Sequence, residues 1–130
     1  MSIIYIRGLA IVLAYAIGYF TAPFFGLLYS ALSPELVGGG SNLSNSFTQW
    51  LAGLPLAIIF FLSLFQATLS RENNSMWIGI SAVPVLLIEF VIDPLHIYFP
   101  IILGVIAWIL GTIAHKILTQ LAPSFMSKIS

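Results

Sequence analysis

Four long apolar stretches separated by short polar breaks constrain this chain more than any other feature. A bilayer core takes roughly 20 residues of helix to cross, and only helices or closed barrels satisfy their own backbone there. The stretches cover about 8–32, 50–69, 76–92 and 97–118. Charged residues make up 6% of the 130, against roughly a quarter in soluble domains, which is too few to cover a water-facing surface. The sequence therefore predicts an all-α integral membrane bundle of four transmembrane helices, forming a single domain over 1–130.

The breaks carry turn chemistry. Residues 33–49 are rich in Gly, Ser and Asn and show no apolar period, which marks a loop. The run 71–75, RENNS, is a short polar turn that joins two antiparallel spans. Asp93-Pro94 is the tightest break, because proline cannot donate a backbone hydrogen bond and disfavours a helical residue before it. At the start, Arg7 and Ala14-Tyr15-Ala16 resemble a signal sequence with its cleavage site. The apolar run continues past them to Leu32, so the segment reads as an uncleaved anchor.

Orientation follows from the cations. Four spans put Arg7, Arg71, Lys116 and Lys128 on one side of the membrane, and the excess of Lys and Arg belongs to the cytoplasm. The expectation is a multi-pass protein of the cell (plasma or inner) membrane with both termini cytoplasmic. Tyr5 and Trp77 fall at the inner interface, and Tyr29, Trp50 and Tyr98 at the outer one. The outer side then holds Glu35, Asp93 and nearby Glu89, an acidity that follows from the same orientation rule. Asn42-Leu43-Ser44 matches a glycosylation sequon in the outer loop.

Several function classes drop out. There are no cysteines, so disulfides and thiolate chemistry are excluded. No basic patch suits nucleic acid. No serine elbow, HExxH or phosphate loop is present, and the sequence implies no enzyme, no cofactor and no resident metal.

The first span carries Ala10, Ala14, Gly18, Ala22 and Gly26, a small residue at every fourth position. Apolar side chains gain little by leaving lipid, so helices associate there through close packing, which small residues permit. This stripe predicts a tight helix contact, intramolecular in preference to a dimer seam. The fourth span repeats the idea with Gly104, Trp108, Gly111 and His115. Pro23, Pro55 and Pro84 lie inside spans and predict kinks. Gln66, near the inner end of the second span, reads as a packing hydrogen bond.

The run 88–100, IEFVIDPLHIYFP, concentrates the polar chemistry. Glu89 and Asp93 are four apart and share a helix face. A carboxylate at Glu89 must face the bundle interior, reach the surface or carry a proton, and an intramembrane acid is a functional candidate by default. His96, Thr48 and Gln49 are its expected partners. Asp93 before Pro94 has the pattern of a helix N-cap, and His96 that of an interfacial residue. Together Glu89, Asp93 and His96 are the candidate proton or cation site, with a divalent metal as a further reading of the same three.

Two expectations about function result. The first is a non-enzymatic subunit or structural partner in the bilayer, associating with itself or with another membrane protein. The second is a small oligomeric proton- or cation-coupled transporter that uses Glu89.

Overall fold

A computed structural model of the protein describes residues 2–32, 46–69 and 72–129. Glu35, Arg71, the sequon at 42–44 and the glycine run at 38–40 lie outside the described residues. The described residues form α1 (Ile3–Leu32), α2 (Ser46–Leu69), α3 (Asn74–Ile92), a 3-10 turn (Pro94–His96), α4 (Tyr98–Leu121) and α5 (Pro123–Ile129), with no strand among them. Helices α1 to α4, α4 taken together with its 3-10 turn, are long and apolar enough to cross a membrane.

Each helix outruns its apolar stretch, since helical hydrogen bonding does not stop where hydropathy falls. α1 begins at Ile3 instead of about Gly8, and α2 at Ser46 instead of about Trp50. Pro23, Pro55 and Pro84 sit inside continuous helices. α3 stops where Pro94 requires, and the Asp93 amide closes it by donating to the Glu89 carbonyl at 2.8 Å. The sequence reading missed α5, a seven-residue helix that opens on Pro123 and buries Met126.

Helix α2 is the centre of the molecule. It packs against α1, α4 and α3, and it alone is buried over more than half of its apolar length. Two glycines make the α1–α2 contact close enough to exclude any other residue at their positions. A Cβ on Gly53 of α2 would lie 1.8 Å from the Ala22 carbonyl oxygen and 2.3 Å from the Gly26 nitrogen on α1. A Cβ on Gly26 would lie 1.9 Å from the Gln49 oxygen. All five small residues of the α1 stripe are buried, and two of them, Ala22 and Gly26, form this crossing with α2 within the chain.

On the other flank of α2, Gly104 of α4 faces Ile59 and Ser63, and Gly111 faces Leu64 and Ala67. Here the structure departs from the sequence reading. Ala107 is fully buried in this seam, and Trp108 is 45% exposed. An indole is too bulky for the close approach that Gly104 and Gly111 allow. Trp108 instead borders an apolar groove of about 370 Å³ between α3 and α4, floored by Ile59 and Ser63 of α2.

The contacts also give the direction of each helix. Along α1, Arg7, Tyr15 and Tyr29 reach Asn74, Ser81 and Asp93 in turn, so α1 and α3 run parallel. Gly26 meets Gln49 and Arg7 meets Gln66, so α2 runs against them. His115 meets the Thr68 carbonyl and Gly104 meets Ile59, so α4 runs with α2. The bundle is up-down-up-down, with Arg7, Gln66, Asn74 and His115 at one end and Tyr29, Asp93 and His96 at the other.

Candidate functional site at the Asp93 end

Helix α3 turns Ala82, Val85 and Glu89 inward, at spacings of three and four. Ala82 and Val85 join the main apolar cluster with Ala14, Ile58, Ile59 and Leu62. Glu89 continues the same face one turn on, so packing of its own helix carries the carboxyl into the interior. It is 1% exposed, and its Oε1 has no hydrogen-bond partner among the described residues. The expected pairing with His96, Thr48 or Gln49 does not supply one.

One turn beyond, Asp93 leaves α3. Its Oδ2 accepts from the Tyr29 hydroxyl and lies 2.6 Å from His96 Nδ1. The expected side-chain cap does not reach hydrogen-bond geometry, although the Leu95 amide of the turn still helps hold the Asp93 carboxyl down. Asp93 does precede Pro94 at the first position of the 3-10 turn, but its carboxylate is taken by the phenol and the imidazole. Burial pushes the Asp93 carboxyl up, but the hydrogen bonds from Tyr29 and His96 more than offset this and hold it below the usual carboxylate range.

Aromatic rings wall this end. Phe99 lies 5.1 Å from His96 and 5.6 Å from Tyr29, ring centre to ring centre, and Tyr98 lies 4.6 Å from Phe99. Tyr29 is therefore not the interfacial belt residue that its position suggested. It is 3% exposed, because it extends the buried face of α1 three residues past Gly26. The three site candidates thus separate into an Asp93–His96 pair, joined by Tyr29, and a lone buried Glu89. Among the described residues, no three His, Asp or Glu side chains gather at metal-binding spacing.

The other end holds a polar site that the sequence reading missed. Arg7 reads as a flank outside the first span, yet it lies within α1 and is 3% exposed. Its guanidinium donates to Gln66 Oε1 at 3.0 Å, Asn74 Oδ1 at 3.2 Å and the Glu72 carbonyl at 2.6 Å. It also lies 5.8 Å from the Trp77 ring centre, within cation–π reach. Gln66 returns a bond from Nε2 to the Arg7 carbonyl at 3.1 Å. The available signal was spacing, since Arg7 stands three residues before Ala10 on the small-residue stripe. Compared with protein-family models, curated proteins and solved structures, the chain matches none of them.

Proposed function

We propose that the protein is a non-enzymatic membrane bundle, with both termini cytoplasmic, that acts as a subunit or structural partner of another membrane protein. The observation that supports this reading most is how the interior polar groups are used. Arg7 ties three helices through Gln66, Asn74 and the Glu72 carbonyl. Tyr15 donates to the Ser81 carbonyl at 2.7 Å, and His115 Nδ1 lies 2.9 Å from the Thr68 carbonyl. These groups hold helices together. Native mass spectrometry after gentle extraction tests the reading. A discrete complex with a different polypeptide is expected, and a bare monomer refutes it.

Glu89 favours a second reading, a small proton- or cation-coupled transporter. It is a buried acid whose Oε1 has no hydrogen-bond partner among the described residues. A homodimer or homotetramer in the same spectrum, together with loss of coupled flux in Glu89→Gln, would favour it over the first.

A further inference from the structure

We propose that Glu89 is a proton-binding site loaded from the Asp93 end of the bundle, with His96 and Asp93 passing the proton and Tyr29 positioning Asp93. The inference deepens the second reading by naming the ligand and its route, but the site can exist without transport.

The first step is the charge balance around Glu89. An ionised carboxylate removed from water is costly by several kcal/mol unless a cation or hydrogen bonds compensate it. Oε1 has no hydrogen-bond partner among the described residues. Arg7 is engaged beside Asn74, fifteen residues earlier on α3, or about 22 Å along the axis. Among the described residues, the groups that face this region are few. α1 offers Tyr29, and the C-cap of α3 offers Asp93. The 3-10 turn and the start of α4 offer His96 and Tyr98. α2 contains no titratable residue in 46–69. His115 and Lys116 of α4 lie toward the Arg7 end.

A proton suits this site where a metal ion does not. A hard divalent cation takes about six or more oxygen ligands, and no cluster of three suitable side chains exists among the described residues. A proton needs only one free oxygen, which Oε1 supplies.

The second, independent observation is the neighbouring chain of donors. His96 is part-exposed and in contact with Asp93 Oδ2, which Tyr29 holds in place from α1. Asp93, the C-cap of α3, follows Glu89 by four residues, and its amide donates to the Glu89 carbonyl. Loading passes a proton taken up from water through His96 Nδ1 to Asp93 Oδ2 and then, once side-chain rotation brings the two carboxyls within reach, to Glu89 Oε1. His96 is left neutral and Asp93 returns to its anion. Because the Tyr29 and His96 hydrogen bonds favour ionised Asp93, the proton does not rest there.

Infrared difference spectroscopy of the full chain in lipid nanodiscs, across a pH titration, tests the site directly. A carboxylic C=O without a hydrogen bond absorbs at higher frequency than a hydrated one. Wild type should show such a band appearing and disappearing with pH, shifted by carboxyl-13C glutamate and absent in Glu89→Gln. The label assigns the band to a glutamate, and its persistence in the Glu35→Gln, Glu72→Gln double variant assigns it to Glu89 even where Glu89→Gln fails to fold. A band insensitive to glutamate labelling, or no pH-dependent band, overturns the site. After a pH jump, His96→Ala should slow the change by about a hundredfold, the lower end of what a positioned acid–base group contributes, and leave its final amplitude intact. An unchanged rate overturns the route. A Glu89 band in a protein that moves no protons across liposomes keeps the site and ends the transporter reading alone.

Discussion

Replacing Gly53 with alanine should damage this protein more than almost any other single-methyl change. The new Cβ would stand 1.8 Å from the Ala22 oxygen, and real contacts of this kind do not fall below 3.0 Å. The two helices must then part by at least 1.2 Å, the difference of those two distances. The obstructing atoms are α1 backbone, so no side chain can rotate away. Overpacking of this kind costs about 1–3 kcal/mol, and a gap of about 1 Å forfeits up to half of each dispersion contact along the seam. The expected loss is therefore at the top of that range, about 3 kcal/mol. Unfolding in mixed micelles with rising SDS, followed by helical circular dichroism, gives the number. Trp50 reports the seam itself, since its indole donates to the Tyr19 carbonyl at 3.0 Å. Gly79→Ala is the control, because its Cβ would meet nothing within 4 Å. If Gly53→Ala lost less than about 0.5 kcal/mol, the range of an uninvolved substitution, the reasoning from close approach would fail.

Other changes probe the remaining contacts. Gly111→Ala would place its Cβ 2.5 Å from the Leu64 oxygen, and the same micelle titration should show the α2–α4 seam weakened. Arg7→Met removes the donor that Gln66 Oε1 and Asn74 Oδ1 share, and should cost about 3 kcal/mol, the upper end for hydrogen bonds to a charged group. Arg7→Lys should recover only part of this, because an ammonium lacks the fork that reaches three acceptors. Asp93 is held below its usual range, so its contribution is present above the unfolded value of about 3.9 and is lost as pH falls through the folded one. Melting temperature should therefore drop on the acid side below about pH 4 in wild type, and Asp93→Asn should flatten that limb.

Much of the candidate site was legible from residue type. Glu89 stood out as an acid within an apolar run, and Asp93 and His96 as its neighbours. What could not be read was their division. Asp93 is drawn away by Tyr29, which is 64 residues distant in sequence, and Glu89 is left alone. Asp93-Pro94 signals a cap because local pattern takes no account of a phenol arriving from α1. Arg7 was misplaced for a similar reason. A cation before an apolar run reads as a flank, and only Gln66 and Asn74, brought in by α2 and the start of α3, make its burial affordable.

The amino-acid sequence by itself determined the four long apolar helices, their breaks and the small-residue stripe of α1, since hydropathy, proline and glycine act within a few residues of where they stand. Tertiary structure alone decided that α2 is the core, that Tyr29 turns inward, that Ala107 rather than Trp108 fills the α4 seam, and that Glu89 Oε1 has no hydrogen-bond partner among the described residues. In a soluble protein the apolar face of a helix marks its inside. Lipid is as apolar as a packed interior, so inward and outward faces of these helices look alike in sequence. The choice between them falls to close packing and to the few polar groups, which are set by contacts between residues far apart in the chain.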